Sequence, residues 1–274
     1  MLGKLMKHEF RATGRIMLPL LGLLVLLSIL AGFSAKLLDS DVDSGILNFL
    51  SVIFITGFIL SLFAAMIVAF VLMIQRFYKN LMGDEGYLMM TLPASTDAHI
   101  FSKLTVSAVW FAATGFVCGL SVLIMAMTNV SFADLGVFIR GFDGITEYVS
   151  VLNIIGYCIE ALLVFFAGSF TVCLHFYAAI AVGHAFSNHK ALLSVVFYFV
   201  ISFLLNTIQM ALIWLGNATG LLESFMGVLE ARTPAEFSSL LHLGLLGALL
   251  YTLFIAALCY LPTRILLDKK LNLA

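Results

Sequence analysis

At 274 residues the chain is 62% hydrophobic and only 11% charged, with a formal net charge of −1. Soluble domains carry about a quarter charged residues, so this composition excludes an ordinary soluble domain. Near-neutral charge also gives no reason to expect a nucleic-acid partner.

The intervals Arg15 to Lys36, Asp43 to Arg76, Lys103 to Asp134, Lys190 to Glu223 and Glu236 to Arg264 contain no Asp, Glu, Lys or Arg. Glu147 to Lys190 contains one interruption, Glu160. Each is longer than the ~18 apolar residues that cross a hydrocarbon core. Backbone groups in lipid must be satisfied within the segment, which makes each span a helix. A β-barrel would need alternating segments of about ten residues, and none stands out. The expected fold is therefore all-α: a polytopic membrane protein with six transmembrane helices. The first apolar run is as long as a full span and lacks a small-x-small cleavage site at its end, unlike a signal peptide. Cys118, Cys158, Cys173 and Cys259 all lie in apolar runs. They have neither disulfide nor metal spacing and read as small hydrophobes.

In chain order, residues 1–15 form an N-terminal amphipathic interfacial helix. Lys4, Lys7, His8, Arg11 and Arg15 share one arc, and Leu2, Leu5, Met6, Phe10 and Ala12 the opposite one. Such a helix lies at a membrane surface. Glu9 falls inside the apolar arc. It is either a partly exposed residue on a frayed helix or a docking contact to Arg76 or Lys79. The first span is 16–37, with Pro19 in its first turn, where a missing donor costs little. The second span is 46–74. Residues 76–99 form a polar segment, and the third span is 100–128. Ser131 to Asp134 has the form of a helix N-cap and Gly141 of a stop. The fourth span is 150–182 and the fifth 191–215. Thr233-Pro-Ala-Glu236 has the form of a capping box with Pro at the first helical position. It starts a sixth span over 234–261, ending by Leu261-Pro262.

Eleven of the 14 Lys and Arg fall at the two termini, in 76–103 and at Lys190. The remaining connectors hold Lys36, Arg140 and Arg232 together with nine acids. The positive-inside rule then places both termini in the cytoplasm of a multi-pass cell-membrane protein.

Within 76–99, Gly83 breaks the exit from the second span, and Asp84 and Glu85 favour the start of a short helix through Gly86 to Thr91. Leu88, Met89 and Leu92 give that helix a small apolar face, and Pro93 ends it. Met-rich faces adapt to a partner groove. A structural hairpin without a partner is the plain alternative.

The pattern Glu85-Gly86…Thr91-Leu92-Pro93…Ser102-Lys103, with the opening LGKLMKHEFRATGR and six spans, resembles the membrane subunits of ABC transporters of the type-2 permease family. The resemblance covers the whole chain, and its specific part is the hairpin and the opening. Tyr87 and Met89 stand where such permeases often carry Thr and Glu. The resemblance implies that residues Gly83, Asp84, Glu85, Gly86, Tyr87, Leu88, Met89, Leu92 and Pro93 form a cytoplasmic coupling helix between helices 2 and 3. It would dock on a separate ABC ATPase subunit. It further implies a second permease copy, identical or related, surrounding membrane lipid, and export as the direction. No phosphate-cradling Gly-x-x-x-x-Gly-Lys-Ser/Thr occurs, so ATP and Mg belong to the partner and this chain is not itself an enzyme.

Other candidates carry two readings each. Glu160 is an intramembrane acid, functional by default, or a residue near a helix end reaching water. His175, about 22 Å further along the same helix, is too distant to pair with it. Tyr198, Ser202, Asn206 and Gln209 follow one face of the fifth span, with Ser194 above them. They pack helix to helix, or with Glu160 line a translocation path. Asp39-Ser-Asp41-Val-Asp43 departs from a calcium loop at Ser44 and Leu50 and is a solvated acidic loop. Asn217-Ala-Thr219 matches a glycosylation sequon, too short a pattern to weigh. The histidines of Gly183 to Lys190 have no nearby Cys or Asp, so no metal site is expected. Two further function classes remain: a non-transport assembly or sensor subunit, and an intramembrane enzyme built on Glu160 and His175.

Overall fold

A computed structural model describes residues 2–38, 45–82, 86, 95–129, 150–186, 188–220 and 233–269. Among the described residues six long helices are present: α1 (Leu2–Leu38), α2 (Gly45–Phe77), α3 (Thr96–Asn129), α4 (Val151–His184), α5 (Lys190–Ala218) and α6 (Pro234–Lys269). A π-helical turn, Tyr78–Met82, continues directly from α2. Every one of the six is long and apolar enough to cross a membrane. At 1.5 Å per residue, helices of 29 to 37 residues are about 44 to 56 Å long, well beyond a ~30 Å hydrocarbon core.

Two expected boundaries differ. The interfacial helix and the first span are one unbroken helix, Leu2–Leu38. Pro19 therefore sits in a helix interior, where it leaves the Arg15 carbonyl without its usual donor but does not end the helix. Likewise α6 runs through Pro262 to Lys269. Thr233 does cap α6: its Oγ1 accepts from the Glu236 backbone N–H at 3.3 Å.

The helices fall into two compact units. The first comprises Met1–Arg76 and Phe101–Phe142, and the second Phe77–Ile100 and Asp143–Ala274. In the first unit, α1 buries Met17, Leu21, Leu24, Ser28 and Ala31, at steps of four and three. Buried Ser51, Phe58 and Ala65 on α2, and Ser107, Thr114 and Ser121 on α3, recur every seven residues. Heptad spacing is the mark of helices packed at a shallow crossing angle. Lipid offers no hydrophobic drive between helices, so close approach through small residues supplies the dispersion contact instead. Gly32 shows this most clearly, since a Cβ there would overlap the Thr128 side chain.

In the second unit α4 is the central helix. It buries Ala167, Ser169, Cys173, Leu174 and Tyr177 to Ala181, whereas α5 buries no residue. Tyr177 stacks on Phe77 with ring centroids 3.8 Å apart. Gly183 lets α5 approach α4 closely, because a Cβ there would lie 2.5 Å from the Ser194 backbone nitrogen. The turn between them is closed by His189 in the left-handed region at φ 53°.

Candidate functional site

Of the residues expected to form the coupling segment, Gly86 is helical and buried. Gly83, Asp84, Glu85, Tyr87, Leu88, Met89, Leu92 and Pro93 lie outside the described residues. The return from that segment is anchored within the second unit. Thr96 donates to Asp268 Oδ1, and Asp97 Oδ1 accepts from Tyr260 at 2.5 Å and pairs with Arg264 Nε at 2.9 Å. Arg264 in turn lies 3.9 Å from Asp268, one turn further along α6. The start of α3 is thus clasped to the C-terminal turns of α6, from Tyr260 across Pro262 to Asp268.

Glu9 is buried in the first unit. Its Oε1 accepts from Lys103 Nζ at 2.6 Å, and Arg76 lies 4.0 Å from the other oxygen. Lys103 is as deeply buried, with its side chain 2% exposed. One turn on, Thr13 Oγ1 donates to the Glu9 carbonyl at 2.8 Å and accepts from Trp110 Nε1 at 2.7 Å. Phe10 closes the cluster with its ring 6.3 Å from that of Trp110. Lys79 lies on the exposed side of the π turn. Arg76 is thus near Glu9, but the close partner is Lys103, which was not among the partners expected for Glu9.

The residues grouped as a translocation path separate into two places. Glu160 faces α6, with both carboxylate oxygens 2.9 Å from His242 Nδ1. His242 in turn packs 4.5 Å, ring to ring, from Tyr157, and Gly156 leaves room for its Cε1. Ser238 Oγ accepts from the Tyr157 hydroxyl at 2.7 Å and the Asn153 amide at 2.8 Å. This cluster joins the N-terminal portions of α4 and α6.

Further along, Thr171, His175, Ser202, Asn206, Gln209 and Tyr251 border a cavity of about 250 Å³ between α4, α5 and α6. Ser202 Oγ donates to the Tyr198 carbonyl at 2.7 Å and lies 3.1 Å from His175 Nε2. With the hydroxyl proton on that carbonyl, the imidazole nitrogen is the donor. His175 also stacks on Tyr198 at 4.7 Å, and Tyr251 donates to Gln209 Oε1 at 3.2 Å. Glu160 and His175 are not brought together; each takes its partner from a different helix. Among the described residues no group of His, Cys, Asp and Glu is placed to hold a metal ion.

His242, Lys103 and the Asp97–Arg264 clasp were not anticipated from the sequence. A usable signal existed for the first. Glu160 and His242 stand at similar distances from the starts of two helices that begin at Val151 and Pro234, and so reach a similar level.

Comparison with protein-family models, curated proteins and solved structures gives no match to this chain.

Proposed function

We propose that this chain is the permease subunit of an ATP-driven ABC exporter in a cell membrane, with both termini cytoplasmic, paired with a second permease copy and two ATPase subunits. Support comes first from the Glu85-Gly86…Leu92-Pro93 sequence pattern, which falls between two helices that both outrun a bilayer. The observation that carries the reading furthest is the clasp where the chain enters α3. Thr96 and Asp97 tie that entry to Asp268, Tyr260 and Arg264 on α6. A push on residues 83–93 by a closing ATPase would thereby reach α6 directly, and through α6 the packed face of α4. ATP and Mg would act on the partner; this chain would supply the lever and the path.

An enzyme is a weaker reading. It rests on Glu160 and His175, and the two are not brought together: Glu160 takes His242 as its partner and His175 takes Ser202.

The test is purification from native membranes in mild detergent. A permease brings down a P-loop ATPase in fixed ratio. Glu85→Lys releases that companion, and Asp97→Asn retains it while lowering coupled ATP turnover. An intact assembly without any nucleotide-hydrolysing chain overturns the reading.

A further inference from the structure

We propose that the cavity between α4, α5 and α6 is a binding site for an uncharged hydroxyl-bearing headgroup, entered sideways from the bilayer. The inference rests on the membrane location of these helices and not on an ATPase partner, so either can fail alone.

Depth comes first. Thr171 lies eleven residues beyond Glu160 on α4, and Arg264 lies twelve residues beyond Thr252 on α6. At 1.5 Å per residue the cavity is about 16 Å from one charged cluster and about 18 Å from the other. Two such distances together span about the thickness of a hydrocarbon core, so the cavity sits near its middle.

Chemistry follows from which groups are already engaged. The Ser202 proton goes to the Tyr198 carbonyl, and the Tyr251 proton to Gln209 Oε1. Thr171 Oγ1 bonds the Ala167 carbonyl at 2.8 Å and the Thr252 carbonyl at 3.0 Å. That leaves the Gln209 amide nitrogen and both ends of the Asn206 amide, which take no partner among the described residues. Both side chains are exposed on α5. In hydrocarbon an unmet amide is costly, so a bound group that both donates and accepts stabilises this arrangement. Among the described residues no carboxylate, Lys or Arg borders the cavity. A charged ligand would have no counter-ion at the depth where charge is most expensive, which selects a neutral one.

Size and entry agree with this. A volume of about 250 Å³ equals that of about eight waters at ~30 Å³ each, enough for a glycerol-sized head. Beside the cavity, exposed Phe203 and Met210 on α5 and Leu250 and Phe254 on α6 offer an apolar margin for an acyl tail. The shared chemistry is a vicinal diol, carried by a lipid or by a free polyol.

The test uses the full chain in phosphatidylcholine nanodiscs and radiolabelled monooleoylglycerol. One saturable site per chain is expected. Asn206→Leu/Gln209→Leu, which alters two exposed positions and also removes the acceptor of the Tyr251 hydroxyl, should bind at least tenfold more weakly. Gln209→Glu should weaken binding similarly while keeping the side chain's shape. Free glycerol at millimolar concentration that displaces the probe assigns the site to a soluble polyol; failure to displace it assigns the site to a lipid headgroup. The proposal is overturned by any of three results: no saturation, unchanged affinity in the double variant, or equal affinity for lysophosphatidic acid. It is also overturned if the double variant instead loses self-association, since the amides would then be satisfied by a second chain.

Discussion

Lys103→Met is the most informative single change in the first unit. It keeps the length of the side chain and removes its charge, leaving Glu9 6% exposed and without its 2.6 Å partner. Breaking a buried ion pair from one side costs about 3–5 kcal/mol, because the remaining charge stays desolvated. Arg76, 4.0 Å from Glu9 and more exposed, offsets part of that, which favours the lower end. At about 2–4 °C per kcal/mol for chains of this size, the thermal midpoint should fall by roughly 6–12 °C. Glu9→Leu/Lys103→Met removes both charges together and should recover most of the loss, because apolar replacements of buried pairs are often neutral or better. Thermal unfolding of purified protein in one detergent, followed by tryptophan fluorescence, reads all three. Trp110 reports directly on the region through its bond to Thr13. A single variant within 1 kcal/mol of wild type, or a double variant no better than Lys103→Met, refutes the reasoning.

Three further outcomes follow from packing and pairing. Thr114→Val should raise stability by about 1 kcal/mol in the same melt, since the buried Thr114 hydroxyl has no partner among the described residues and the replacement keeps its shape. A lower midpoint would mean that this hydroxyl is satisfied. Gly183→Ala should cost about 1–3 kcal/mol, because its methyl group meets Ser194 backbone that cannot rotate away. Gly168→Ala, with open space around it, serves as the control and should stay within ~0.5 kcal/mol. His242→Ala should destabilise more than Glu160→Gln: the first leaves a carboxylate unpaired, and the second leaves an amide that still bonds the imidazole. Equal losses would argue that Glu160 already reaches water.

The spans were legible because lipid makes one demand on sequence, a long uncharged run, and this chain meets it six times. The start of α6 was legible too, since a cap is a local device, and Thr233 bonds the Glu236 N–H as its spacing suggests. Helix ends were harder to read where proline was the signal. Pro19 and Pro262 mark ends in isolated helices, but here each is carried inside a helix held by contacts distant in sequence. Around Pro19 those are the Glu9–Lys103 and Thr13–Trp110 bonds; beyond Pro262 they are the Asp97–Arg264 and Thr96–Asp268 bonds. The same limit governs the site. Spacing along one helix placed Tyr198, Ser202, Asn206 and Gln209 on a face, but it could not supply His175 as the partner of Ser202. Nor could it supply His242 for Glu160, 82 positions away.

These contacts also define how each helix of the second unit is held. α4 and α6 are joined by the Glu160–His242 pair and the Ser238 bonds toward their N-terminal portions. The far end of α6 is fixed separately to Thr96 and Asp97. α5 is held differently. It buries no side chain, and among the described residues it meets α4 through the Gly183 approach, the Ser202–His175 contact and the stacking of Tyr198 on His175 and Phe176, and α6 through the bond from Tyr251 to Gln209. Two of those contacts border the cavity. Whatever fills the cavity therefore acts on α5 at the level where it holds both neighbours by neutral hydrogen bonds of about 1 kcal/mol each. A ligand that takes the Gln209 amide competes with or reinforces the Tyr251 bond, and so changes how firmly α5 is held to α6. Movement imposed on α6 through its clasp would reach the cavity through Tyr251, Thr252 and Ile255, which border it, and would pass to α5 by the Tyr251 bond and to α4 by the Thr171–Thr252 bond.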